Sequence, residues 1–272
     1  MPPHLFQAPA SWREVAFISD LHLQASLEKT VQGLAHFLQN NTADAVFLLG
    51  DVFEVWVGDD SAESGFPAEA LNLLKAAAAR QPLYLMVGNR DFLLSPPLLA
   101  SVGITWLDDP TVLAFGGERF LLSHGDALCL DDLPYQKFRQ MVRDPKWQAT
   151  VLSLPLADRL ALAKSIREQS MGVKTANAQN QTDWIDLNAN AVLKALSEAD
   201  CTTLIHGHTH APQRHALGHN AAGQALTREV LSDWDLDDAL PRAEVFSLTW
   251  GPAAEAPPSI QRVKRSRRRL YL

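Results

Sequence analysis

The chain has 272 residues, 47% hydrophobic and 20% charged, enough for one large domain, or one domain with an insertion, around a substantial core. Its two cysteines, Cys129 and Cys201, exclude a disulfide framework, and no stretch reaches the roughly 18 apolar residues of a membrane span. A net charge of −7 disfavours bulk nucleic-acid binding.

The opening MPPHLFQAPASW lacks the basic and apolar regions of a signal peptide, so the reading places the protein in the cytoplasm. Strand and helix patterns then alternate. EVAFIS (14–19) reads as a buried strand, and Leu27, Val31, Leu34 and Leu38 recur at helical spacing. AVFLLG (45–50) is a second strand, 67–80 an Ala/Leu helix, PLYLMVG (82–88) a third strand and RFLLSHG (119–125) a fourth. CTTLIHG (201–207) is a fifth, and VFSLTW (245–250) a late one before a linker over 251–259. This alternation predicts an α/β architecture.

Residues 133–200 break the rhythm. Asp132 followed by Pro134 marks a helix start. Tyr135, Phe138, Met141 and Val142, then Trp147, Val151, Leu152 and Leu154, then Leu156, Leu160, Ala163 and Ile166 form successive apolar stripes. The segment reads as a helical insertion, either ordinary core helices or a cap with an apolar groove. The chain is thus read as one domain, 1–272, with a cap over about 133–200. The end from Arg262 to Leu272, RVKRSRRRLYL, carries six positive charges, leaving −13 for the rest. It is either a solvated, disordered terminus or a contact for an anionic membrane surface, where each cation contributes about 1 kcal/mol.

The residues at the strand ends are more specific. Asp20 and His22 come after the first strand, Asp51 after the second, Asn89 and Arg90 after the third, His124 after the fourth, and His206, His208 and His210 after the fifth. Histidines at alternate positions, taken alone, fit a plain loop as well as a metal site. Five strands delivering Asp, His or Asn at one end point to metal, at the sheet edge where α/β sites lie. Mixed oxygen and imidazole donors suit Mn, Fe or Zn, not calcium, and the lack of thiolates argues against a structural zinc. Asp20, His22, Asp51, Asn89, His124, His206 and His208 are too many donors for one open metal. They predict two ions about 3.5–4 Å apart, sharing Asp51. Such a pair activates water for attack on a phosphoryl centre, where Arg90 would offset developing charge. His210 is expected behind the ligands or near the leaving group.

Together, Asp20-x-His22, Gly50-Asp51, Gly88-Asn89-Arg90-Asp91, His124-Gly125-Asp126 and Gly207-His208-x-His210 resemble the calcineurin-like metallophosphoesterase signature. The resemblance implies a four-layer α/β/β/α sandwich. FISDLHL, LLGDVFEVWVGDD, GNRDFLL, SHGDALCLDD and LIHGHTH are similar to the branch hydrolysing the pyrophosphate of UDP-2,3-diacylglucosamine in Gram-negative lipid A biosynthesis. That likeness implies UMP and 2,3-diacylglucosamine 1-phosphate as products, from water attack on the α-phosphorus. It also implies two Mn2+ ions per chain and peripheral attachment to the cytoplasmic side of the inner membrane. One metal would take Asp20, His22, Asp51 and His208, the other Asp51, Asn89, His124 and His206. Asp51, Asn89, Arg90, His124 and His206 would be the catalytic set. Substrate contacts would fall on Asn89, Arg90, Asp132, His206, Ser170 and Asn177, with Asn180 or Lys174 at the position of a family lysine. The alternatives are another dimetal phosphoesterase, such as a nucleotide pyrophosphatase or phosphodiesterase, and a non-catalytic scaffold on this fold.

Overall fold

Successive strand residues face opposite ways, so a run such as Glu14–Ile18 needs cover on both sides. The structure, a computed structural model describing residues 3–179, 186–252 and 261–270, supplies that cover with two six-stranded mixed sheets. In chain order the elements are β1 (His4–Gln7), β2 (Glu14–Ile18), α1 (Glu28–Asn40), β3 (Ala45–Leu49), α2 (Gly65–Ala78) and β4 (Leu83–Met86). Then come α3 (Pro96–Ser101), β5 (Thr105–Trp106), β6 (Thr111–Phe115), β7 (Glu118–Ser123), α4 (Leu133–Val142), α5 (Pro145–Leu152) and α6 (Leu156–Gln179). The chain continues through α7 (Ala189–Glu198), β8 (Thr203–His206), β9 (Arg214–His219), β10 (Ala225–Val230), β11 (Glu244–Pro252) and β12 (Gln261–Arg269). One sheet is ordered β1-β6-β7-β8-β10-β9 and the other β12-β11-β2-β3-β4-β5.

Alternation within the strands builds three core layers. Val15 and Phe17 of β2, Phe47 of β3, Phe120 and Leu122 of β7 and Ile205 of β8 fill the space between the sheets. Ala16, Ile18, Val46, Leu48 and Leu85 face the other way, onto Leu34 and Phe37 of α1 and Leu71 and Leu74 of α2. Val112, Leu121 and Leu204 pack on Val192 and Leu196 of α7. Helices, sheet, sheet and helix therefore succeed one another, which fits the four-layer sandwich. β2, β3 and β4 run parallel, with Phe17 opposite Phe47 and Phe47 opposite Tyr84, and β7 and β8 run parallel with Ser123 opposite His206. Their carboxyl ends meet at one edge of the sandwich.

The structure holds more sheet than the sequence pattern predicts. β1, β5, β6, β9 and β10 are additional, and the basic end forms β12, antiparallel to β11 over Glu244–Pro252. That corrects the reading of a disordered terminus. Two arginines of β12 turn inward, Arg265 toward Glu118 and Thr203 Oγ1 and Arg267 toward Glu229 and Val230 O, all on the opposite sheet, while the exposed Arg269 pairs with Glu244 of the neighbouring β11. Lys264 and Arg268 face solvent. The expected linker over 251–259 lies mostly outside the described residues.

Candidate metal centre

Each turn after a strand holds its donors through backbone bonds across the sheet edge. Asp20 N donates to Gly50 O at 3.0 Å, His22 N to Asp51 O at 3.0 Å, and Gly207 N to His124 O at 3.0 Å. The turns are sharp: Asp20, His22, Asp51, His208 and His210 all have φ between +47° and +68°. Non-glycine residues rarely adopt this region, and the strain clusters where side chains must be aimed. Glycine stands between His206 and His208 because a Cβ at Gly207 would lie 2.3 Å from Asp20 Oδ2 and 2.5 Å from Ser19 Oγ.

The donors converge in a buried cluster. Asp20 Oδ1 lies 3.2 Å from His210 Nε2, which is 3.3 Å from His22 Nε2. Asp51 lies 3.9 Å from His22 Nε2 through Oδ2 and 3.6 Å from His124 Nε2 through Oδ1. Asn89 Oδ1 faces both His124 Nε2 at 3.0 Å and His208 Nδ1 at 2.9 Å. Two groups have donor atoms close enough to hold one ion each: Asp20, His22 and His210, and Asp20, Asp51 and His124. The geometry thus brings His210 up to the Asp20–His22 pair, with His208 turned to Asn89 and its backbone amide donating to Asp20.

The donor chemistry fits divalent metal. His206 is fully buried, its Nδ1 is 2.8 Å from Gly207 O, and its Nε2 has no hydrogen-bond partner among the described residues. A buried orphaned imidazole nitrogen costs about 1–3 kcal/mol unless something fills its lone pair, and a metal ion would. Burial, then the charge of Arg228, lowers the His206 pKa to about 3. Burial, then the charge of His124, lowers His208 to about 3. Both rings are therefore neutral at pH 7, the state ligation requires. Burial opposes ionisation of Asp20, but His210, His124 and His22 together hold its carboxyl below the usual range. Burial likewise opposes a charge on His124, yet Asp51, Asp20 and Asp126 raise its pKa to about 9.

Sequence reading overlooked two supporting carboxylates. Glu54, 8% exposed, lies 2.9 Å from His22 Nδ1 and also faces Arg90 at 3.8 Å and Arg167 of α6. Burial works against its ionisation, but His22, Arg90 and Arg167 together lower its pKa. Asp91 accepts from Gly88 N and Val52 N, both at 2.7 Å, binding the second and third turns together. Its place in GNRD was a usable signal. Arg90 N donates to Asp51 Oδ1 at 2.8 Å, so the arginine expected to offset charge also orients the Asp51 carboxylate. Asp132 caps α4, accepting from Tyr135 N at 3.0 Å. Ser170, Lys174 and Asn177 fall on α6 with side chains outside the described residues, and Asn180 lies wholly outside them.

Convergent Asp, His and Asn at the parallel-strand ends of a double-sheet α/β fold define a dimetal phosphoesterase. The family model for calcineurin-like phosphoesterases matches residues 14–212. A UDP-2,3-diacylglucosamine hydrolase of Bordetella pertussis is 43% identical over 227 residues, covering 82% of this chain and 86% of the relative. Proteins of that name from Chromobacterium violaceum and Chromohalobacter salexigens are 45% and 42% identical, covering 81% and 85% of this chain and 90% and 96% of theirs. The chain belongs to the calcineurin-like phosphoesterases and, within them, to the UDP-2,3-diacylglucosamine hydrolase family.

Proposed function

We propose that this protein hydrolyses the pyrophosphate bond of UDP-2,3-diacylglucosamine, releasing UMP and 2,3-diacylglucosamine 1-phosphate for lipid A biosynthesis. Relatives of that name, matched over most of their own length, support the substrate. The observation that carries the chemistry is the unpartnered, fully buried His206 Nε2 beside clustered Asp20, Asp51 and His124.

In this reading two manganese ions are held by Asp20, His22, Asp51, Asn89, His124, His206 and His208. When bound they supply Lewis acidity toward the phosphoryl oxygens and a water acidic enough to attack phosphorus near neutral pH. The chain's own groups do the rest. Asp51, fixed by the Arg90 amide, would serve both metal positions. Glu54 holds the His22 ring through Nδ1, as carboxylates behind ligating imidazoles do, and so would leave Nε2 as the nitrogen for a metal. Arg90 and Arg167 stand beside Glu54, placed to pair with the diphosphate oxygens. Asp132, His206, Asn89, Ser170, Asn177 and either Lys174 or Asn180 complete the substrate contacts.

The cap, α4 to α6 of the expected 133–200 insertion because α7 packs on the sheet of β7 and β8, supplies apolar surface for the acyl chains. Leu133, Met141, Leu152, Leu154 and Leu160 are exposed there and offer apolar atoms for an acyl chain to cover. No described helix is long and apolar enough to cross a membrane. Peripheral attachment to the anionic cytoplasmic face of the inner membrane is proposed instead, with Lys264 and Arg268 as the outward cations of β12.

The test is UMP release from UDP-2,3-diacylglucosamine with and without manganese, alongside Asp51→Ala. Release that needs manganese and vanishes in the variant supports the reading. Metal-dependent cleavage of bis(4-nitrophenyl) phosphate without UMP release would move the protein to another phosphoesterase activity.

A further inference from the structure

The stretch FEVWVGDD (53–60) lies beyond the donors, yet its carboxylates are committed in opposite directions. Asp59 turns inward, accepting from Trp56 Nε1 at 3.2 Å and from the Ser95 hydroxyl and amide, and so fixes the turn itself. Asp60 turns outward to Arg159 on the first turn of α6. Arg159 is only 4% exposed and uses its whole fork: Nε donates to Leu154 O at 3.0 Å, Nη1 to Val57 O at 2.5 Å and Asp60 Oδ1 at 2.8 Å, and Nη2 to Asp60 Oδ2. Gly58 makes room for it. Its φ is +130°, and a Cβ there would sit 2.1 Å from Arg159 Nη1 and 2.9 Å from Leu152 Cδ2.

The same loop holds α6 a second time. Arg167, roughly 12 Å further along the helix, pairs with Glu54, which in turn touches His22. One short loop thus grips the helix at both ends of that span. The helix carries Ser170, Lys174 and Asn177 beyond the grip. Apolar contacts alone would leave the helix free to slide, since Trp147, Val151 and Leu162 give the cap an unoriented greasy footing on the core. A bidentate carboxylate–guanidinium pair fixes register as well as distance.

We propose that Asp60 and Arg159 are positioning residues: a latch that registers the cap over the metal centre and so governs recognition of the acylated nucleotide. They touch no reacting atom. Asp60 is half exposed, so the pair contributes little to global stability. Its effect lies in where α6 sits. This role rests on the proposed substrate for its kinetic consequence, but not for its mechanical one.

Two measurements test it on the full-length, manganese-loaded protein and its Arg159→Lys and Asp60→Asn variants. Amide hydrogen exchange should rise about tenfold over residues 157–168 of α6 while β2 and β3 stay protected. Unchanged α6 exchange overturns the latch whatever the substrate is. In kinetics, KM for UDP-2,3-diacylglucosamine should rise about tenfold, with bis(4-nitrophenyl) phosphate kcat/KM within about twofold of wild type. Equal losses on both substrates would reduce the pair to a folding contact, and an unchanged lipid KM would remove its role in recognition. The reversed pair, Asp60→Arg with Arg159→Asp, should recover part of the KM lost in either single change. Wild-type protein that cleaves only the phosphodiester rejects the substrate reading and leaves the exchange experiment to decide the latch.

Discussion

His22 Nδ1 lies 2.9 Å from Glu54 Oε2, while its Nε2 faces Asp51 at 3.9 Å, so one imidazole joins a candidate metal donor to a supporting carboxylate. Losing such a carboxylate typically costs 10–100-fold in metal affinity. Glu54→Ala should therefore weaken manganese binding by about that factor, read by titration of the metal-free protein. Glu54→Gln keeps the shape and should lose less. Manganese affinity unchanged in both would mean that Glu54 serves only Arg90 and Arg167.

Gly207 is a second point where sequence and site meet. With a Cβ 2.3 Å from Asp20 Oδ2 and 2.5 Å from Ser19 Oγ, Gly207→Ala must push the Asp20 or Ser19 side chain aside. Overpacking of this kind costs about 1–3 kcal/mol, and here it falls on a donor. The expected result is a lowered melting temperature together with a loss of bound manganese, measured by calorimetry and metal analysis. A fully loaded, fully active alanine variant would show that the donors can rearrange.

The donors were legible in the sequence because each ends an apolar strand: a run such as Ala45–Leu49, with glycine and aspartate next, announces both strand and site. Supporting residues were less legible. Glu54 and Asp60 sit in a plainly unusual stretch, but their partners Arg167 and Arg159 lie more than 90 residues away on an insertion. β10 was missed because Arg228 and Glu229 interrupt its apolar pattern, and only the fold reveals that both are buried against Asp186, Arg214 and Arg267. β6 and β7 flank Gly116-Gly117, a two-residue hairpin signal that could have been read.

The basic end illustrates the same difficulty, since its charge alone suggests a solvated tail. Arg267 instead crosses from one sheet to the other, meeting Glu229, which is 2% exposed, and Val230 O at 2.7 Å. Arg267→Ala leaves the buried Glu229 carboxylate with Arg214 as its remaining ion-pair partner among the described residues, and should cost about 2 kcal/mol, seen as a melting shift of several degrees. Replacing Lys264 and Arg268 together should leave melting unchanged but weaken co-sedimentation with anionic vesicles, by about 1 kcal/mol per charge at low salt. Vesicle binding that ignores the double change would place membrane attachment elsewhere, with the cap as the next surface to test.

The cap leads to the last prediction. Leu152 is 43% exposed at the end of α5 and Leu160 48% exposed on α6, both open to cover by an apolar ligand. Each methylene of an acyl chain buried there contributes about 0.8 kcal/mol, so a charge at this surface should be felt by the lipid and not by the phosphates. Leu160→Asp and Leu152→Asp should each raise KM for UDP-2,3-diacylglucosamine by about tenfold or more, equivalent to about 1.4 kcal/mol. Cleavage of bis(4-nitrophenyl) phosphate should be nearly unchanged. A parallel series with shortened acyl chains sharpens the test, because the penalty should shrink as the chains shorten. Penalties independent of chain length would mean that the acyl groups bind away from α5 and α6, and that these leucines face the membrane instead.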